Sequence, residues 1–195
     1  MIAIKDAKIL TMEGKNYDKG TVLIEDGKIK KIGEDVEVPA DAEVFSAEGK
    51  VMMPGMIDAH THVGISEEGI GWEGADYNET SDPITPHLRA IDAINPHEKG
   101  MEDARTHGIT SLMTGPGSAN VIGGENLVMK TKGNTVDEMV LKSPVGMKAA
   151  FGENPKRVYK DQNKSPRTRM AVAAAMRETF MQAEDYIKEK ENAEK

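Results

Sequence analysis

Lys50-Val-Met-Met-Pro-Gly-Met-Ile-Asp-Ala-His-Thr-His-Val-Gly64 is the stretch on which the reading of this chain turns. Pro54-Gly55 breaks whatever element precedes it, and Met56-Ile57-Asp58-Ala59-His60 is a short apolar run ending in polar groups. That is the look of a buried parallel strand whose C-terminal end carries chemistry. Side chains alternate along an extended chain, so His60 and His62 fall on the same side. Two neutral imidazoles so placed can converge on one divalent ion, with zinc the usual choice for nitrogen ligands. An H-x-H pair alone is as readily two solvent-facing or core histidines.

Upstream of this stretch the strand signals come at close spacing. Ala3 to Thr11 alternates apolar and polar, and Thr21-Val-Leu-Ile-Glu25 runs into Asp26-Gly27 and out through Lys28 to Ile32. Asp-Gly between two such runs predicts a type I′ hairpin, because both central residues need positive φ. Ala42 to Ser46 and Lys50 to Met53 add two short strands. Residues 1–53 therefore read as a small β module and residues 54–195 as a second domain.

Downstream, Gly64 to about Asn95 is rich in Gly, Pro and acids without a steady period, a length that marks a functional or mobile segment. Pro96 to His107 predicts a helix closed by Gly108 at C′, followed by a strand over Ile109 to Thr114. Helix, Gly, strand is the αβ half of a βαβ repeat. A Gly-rich loop, Gly115 to Gly124, leads to strands at Leu127 to Thr131 and Val145 to Phe151. It lacks the Lys-Ser/Thr of a P-loop and reads as a place of close backbone approach. Ser165 as N-cap with Pro166 at the first helical position predicts a helix from Arg167 to about Lys188, its apolar residues including Met170, Ala173, Ala174, Met176 and Phe180. The charged residues beyond Lys188 are expected to fray.

Composition bounds the function. The 195 residues hold 25 Lys plus Arg against 33 Asp plus Glu, a formal charge of −8, which excludes a basic nucleic-acid-binding face. There is no cysteine, so disulfides and thiolate metal sites are excluded, and any metal must be held by His, carboxylate or a modified Lys. With 4% aromatic residues and 13 Met, the core is expected to be aliphatic and methionine-filled. No run approaches the ~18 apolar residues of a membrane span, and the start lacks the plan of a signal peptide. The expectation is a cytoplasmic protein with no membrane partner.

The full Lys50–Gly64 string resembles the signature of the metal-dependent amidohydrolase superfamily. Gly20-Thr-Val-Leu-Ile-Glu-Asp-Gly-Lys-Ile29 resembles its N-terminal β-sandwich. Thr85-Pro-His-Leu-Arg-Ala-Ile-Asp-Ala-Ile-Asn-Pro96, Gly108-Ile-Thr-Ser111, Gly115-Pro-Gly-Ser-Ala-Asn-Val-Ile-Gly-Gly124 and Phe151-Gly-Glu-Asn-Pro-Lys-Arg157 resemble the imidazolonepropionase-like branch. The resemblance implies an α/β fold, a partial (β/α)8 TIM barrel preceded by the small β-sandwich module. It implies hydrolysis of non-peptide carbon–nitrogen bonds in a small-molecule substrate by water activated at one or two divalent ions, zinc foremost. His60 and His62 match the family's first-strand ligands. For the later ligand that can bridge two ions, Glu153 at a strand end is preferred, and Lys148 within that strand is the alternative, as a carboxylated lysine. His87 and Arg89 are candidates for substrate contact. The family's remaining histidines and its Asp have no counterpart here.

A complete barrel takes roughly 250 residues. The resemblance therefore implies an N-terminal portion, incomplete as a catalyst. The alternative is an inactive fragment or split subunit, with a homo-oligomer or a complementing C-terminal chain as partner.

Overall fold

The computed structural model describes residues 1–194, which form two compact units, Met1–Gly55 and a second from Met56 onward. The first is one five-stranded sheet. β1 (Ile2–Ile9) pairs antiparallel with β2 (Tyr17–Glu25), and β2 pairs antiparallel with β3 (Lys28–Gly33). β4 (Glu43–Ser46) and β5 (Val51–Met52) both run parallel to β1. Asp26 and Gly27 have φ of 51° and 72°, the backbone a type I′ turn requires. Ala7, Ile9 and Val22 form its core, while Ile29, Val44, Phe45 and Val51 are exposed. Among the described residues the module is this single sheet, without the second layer of the expected sandwich.

The second unit begins with β6 (Met56–Thr61), α1 (Lys99–Thr106) and β7 (Ile109–Thr114), in which β6 and β7 are parallel neighbours. This is the βαβ repeat that the helix–Gly–strand pattern predicts, and Gly108 ends the helix with φ +89°. β8 (Ile122–Lys130) and β9 (Val140–Ala149) then continue the sheet antiparallel, in the order β6-β7-β8-β9. The reason is connection length. Only Gly115–Val121 separates β7 from β8, whereas a parallel return needs a dozen residues or more. Both later strands start earlier in the chain than periodicity predicts.

Three helices complete the unit: α2 (Val136–Met139), α3 (Glu153–Asp161) and α4 (Arg169–Ala193). The expected N-cap Ser165 is displaced by Thr168, whose hydroxyl accepts from Ala171 N at 3.1 Å. The charged tail expected to fray remains helical to Ala193. α3 escapes sequence reading because its buried residues are only Pro155 and Tyr159, a stripe too narrow to register as a helical period. No described helix is long and apolar enough to cross a membrane. The main core is aliphatic and methionine-rich, as composition predicts, with Leu112 and Leu127 among Met101, Met129 and Met139.

The aperiodic segment after β6 is held by side chains that satisfy its backbone carbonyls. The Asn120 carboxamide, 1% exposed, donates to Glu79 O at 2.6 Å and Asp82 O at 2.8 Å, with Thr85 Oγ1 at 3.1 Å. The buried Tyr159 hydroxyl donates to Asp82 O at 2.7 Å. Desolvation pushes that phenol up to about 12, so it keeps its proton at any physiological pH. Gln162 and Lys164 donate to Thr80 O and Ser81 O. An Asn120→Ala change should therefore destabilise the unit by about 2 kcal/mol in urea unfolding, since a part-buried carbonyl left without its donor costs about 1 kcal/mol, the low end of the buried range. Tyr159→Phe should cost roughly 1–2 kcal/mol by the same argument.

Candidate metal centre

His60 is the fifth residue of β6, and His62 follows the strand's last residue. Their rings stand edge to face with centroids 5.7 Å apart. His62 Nδ1 lies 2.7 Å from Gly115 O. A carbonyl oxygen only accepts, so Nδ1 carries the proton and Nε2 keeps its lone pair. Backbone locking of one ring nitrogen is how proteins orient a metal-binding imidazole. The other side of the ring is covered by Tyr77, stacked at 5.3 Å with 23° between the planes. His60 Nε2 lies 3.5 Å from Lys148 Nζ. An ammonium only donates, so His60 too presents its Nε2 lone pair.

Of the two candidate bridging positions, Lys148 lies beside His60. It sits on β9 across from Gly124 of β8, and its Cγ would be 3.4 Å from a Cβ at Gly123. The Gly123-Gly124 pair thus leaves the lane in which the lysine stem runs. Glu153, the preferred position, lies beyond β9. The chain turns at Gly152 and makes Glu153 the first residue of α3, where its exposed carboxylate accepts from Lys156 Nζ at 3.0 and 3.2 Å. A carboxylate in a first helical turn is favoured by the helix dipole and has its own cation here. Among the described residues no group of three or more His, Asp or Glu side chains is placed to hold a metal ion, so the His60, His62, Glu153 set is not assembled.

His87 is exposed, and Arg89 is committed elsewhere, its guanidinium donating to both oxygens of Asp92 at 3.0 and 2.7 Å. Sequence reasoning missed Tyr77, which lies in the segment without a period. The signal for it was indirect: a Cβ at Gly117 would lie 2.7 Å from Tyr77 Cδ2 and 2.4 Å from Asn78 Oδ1. The Gly-rich loop is there for that approach, and Gly117 N donates to Tyr77 O at 2.6 Å. Beside His62 opens a cleft of about 290 Å³, lined by Tyr77, Ser118, Asn154, Arg157 and Val158 among others.

No family model matches the chain. Among solved structures, the amidohydrolase from Thermotoga maritima MSB8 is 44% identical and superposes with a TM-score of 0.93, over 98% of this chain and 49% of that one. The amidohydrolase tasK of Hapsidospora irregularis is 35% identical over 188 residues, 89% of this chain and 19% of its own. An imidazolonepropionase of Vibrio cholerae serotype O1 is 37% identical over 65 residues, 31% of this chain and 16% of its own. The chain spans about half the length of the solved amidohydrolase and less than a fifth of these curated relatives.

One buried acid anchors the backbone just past the histidines. Glu98, 4% exposed, accepts from Gly64 N at 3.2 Å through Oε1, and its Oε2 has no hydrogen-bond partner. Desolvation pushes its carboxyl above the usual range, reinforced by the Glu68 and Glu67 carboxylates and opposed by the Gly64 N–H. The native state then holds this proton more tightly than the unfolded chain. Stability from this group is full below the ordinary glutamate range and is lost as pH rises through the raised folded value. Urea titrations across that window should show stability falling with pH in the parent chain, and a flatter profile for Glu98→Gln.

Proposed function

From the kinship of this chain with the amidohydrolases, which extends over nearly all of it, we propose that it carries part of the divalent-metal site of a hydrolase acting on non-peptide carbon–nitrogen bonds of small molecules. The observation that carries the reading is the Nδ1–H of His62 on the Gly115 carbonyl. It fixes the tautomer that leaves Nε2 free as a ligand, on a ring whose centroid is 5.7 Å from that of His60. This donor set suits zinc, being nitrogen with no thiolate available in the chain. His60 and His62 would hold the ion, and Lys148 would join them once carboxylated. In that reaction its neutral amine forms an N–C bond to carbon dioxide and releases a proton, so a donor becomes an anionic oxygen ligand. Bound there, the ion would polarise the scissile carbonyl or amidine and acidify water. The chain's own part is orientation: Gly115 holds one imidazole, and Tyr77 shields a face of the same ring from water.

A second reading, a split subunit that works only with a complementing chain or a second copy, is favoured by the sheet edges. β6 and β9 end the sheet, and Met56, Ile57, Leu141 and Met147 on them are exposed. Unpaired apolar edges are the usual template for pairing with another chain.

Zinc titration of the purified chain, followed by elemental analysis, tests the first reading. The parent should retain zinc, the His60→Ala/His62→Ala double change should lose at least tenfold in affinity, and Lys148→Met should abolish any bicarbonate-dependent gain. A parent chain that takes up no zinc sinks the proposal. For the second, sedimentation should show self-association that weakens when Ile57 is changed to Lys.

A further inference from the structure

His62 is the first residue of a turn that another part of the chain holds shut. Ile65 N donates to His62 O at 3.1 Å, and Gly64, third in the turn, has φ +95°, the positive value that a type II turn demands there. Such a turn bonds only its ends, so the amide and carbonyl of its third residue need partners elsewhere. Both come from one short segment: Asn95 N donates to the Gly64 carbonyl at 2.8 Å, and the Gly64 N–H donates to Glu98 Oε1 at 3.2 Å. Glu98 is the N-cap of α1, where an acid ordinarily accepts from its own helix, yet its side chain caps nothing there. The carboxyl reaches Gly64 instead, through space that Gly100 leaves open, since a Cβ at that position would run into Oε1. Glu98 is buried with Oε2 unpartnered, near the Glu67 and Glu68 carboxylates. An acid so placed costs stability, and function is expected where ordinary packing rules give way.

We propose that Glu98 is a positioning residue for His62, holding that imidazole in register through the Gly64 N–H. The ring meets the Gly115 carbonyl through one hydrogen bond of 2.7 Å, and that bond selects the tautomer only while the backbone under the ring stays in place. Gly64 lies two residues on, inside the turn that Ile65 closes onto the His62 carbonyl. Asn95 holds the carbonyl side of Gly64, so the peptide between Val63 and Gly64 depends on Glu98. With the carboxyl withdrawn, a buried N–H loses its partner and the turn opens toward water to find another. The imidazole above it then leaves Gly115, and its proton is free to sit on either ring nitrogen. The inference rests on the metal reading only for what the fixed tautomer serves.

The test uses the full chain stripped of metal, with the protonation of the His62 ring read from long-range proton–nitrogen NMR correlations. The parent should show the Nδ1–H form alone. Glu98→Ala should add the Nε2–H form, and so should Gly100→Ala, whose new Cβ displaces the carboxyl while leaving the acid in the chain. Glu98→Gln keeps an acceptor oxygen and should keep the parent's tautomer. Tyr159→Phe loses stability through a bond to Asp82 O, away from the turn, and should keep it too. A mixture in the parent, in Glu98→Gln or in Tyr159→Phe overturns the inference. So does a single Nδ1–H form in Glu98→Ala or, where that variant fails to fold, in Gly100→Ala. Zinc titration is scored separately, and the variant that frees the tautomer should bind about tenfold more weakly than the parent. A parent that takes up no zinc refutes the hydrolase reading and leaves the tautomer result standing. Zinc uptake with an unmoved tautomer upholds that reading and refutes the role of Glu98.

Discussion

The absence of a side chain at Gly117 is the constraint on which the second unit depends. Any Cβ there would drive into Tyr77 and Asn78, and with the loop displaced three things would move together. Gly117 would leave the Tyr77 carbonyl, Ala119 would leave Asn78 Oδ1, and the Gly115 carbonyl would shift from His62. The next residues seat Asn120 among the carbonyls of the aperiodic segment. One close backbone approach thereby locks a histidine tautomer at one end of the loop and a long irregular segment at the other.

That arrangement explains how a stretch without a helix or strand of any length can support a site. Backbone groups away from water must find partners, and here part-buried carbonyls find Asn120 and Tyr159, while Gln162 and Lys164 add exposed bonds. Glu98 extends the same logic to Gly64, where an acid sits among other acids at a net electrostatic cost. An unpartnered buried oxygen beside a glycine whose φ is +95° is an expensive way to hold a turn. The burial that strands this oxygen is also what raises the carboxyl's affinity for a proton.

Local chemistry was legible in the sequence, and tertiary choice was not. Asp26-Gly27, Gly108 and the run ending in His60 each encode their backbone within a few residues, although β6, read as a buried strand, is largely exposed. The parallel β6-β7 pair followed from the same local grammar. Glu153 and Lys148 show the limit. Both are chemically able to serve a metal site, and they are placed differently by where the chain turns at Gly152 and by which cation the carboxylate meets. A turn residue and an i,i+3 lysine were visible, but nothing in the spacing says that a helix starts at Glu153. Tyr77 was invisible for a different reason, since stacking on His62 joins residues with no shared period.

The distribution of charge closes the argument about what this surface can do. Acids outnumber bases, and several of the basic side chains near the site are spoken for: Arg89 by Asp92, Lys156 by Glu153. The two that are not paired with a carboxylate, Lys148 and Arg157, are those in contact with His60 or lining the cleft beside His62. A lysine can change its charge by adding carbon dioxide, whereas an arginine keeps its charge throughout the working range. The histidines are therefore flanked by one cation whose sign is negotiable and one whose sign is fixed. The first has the chemistry to become a ligand, the second does not, and the division follows from the side chains themselves.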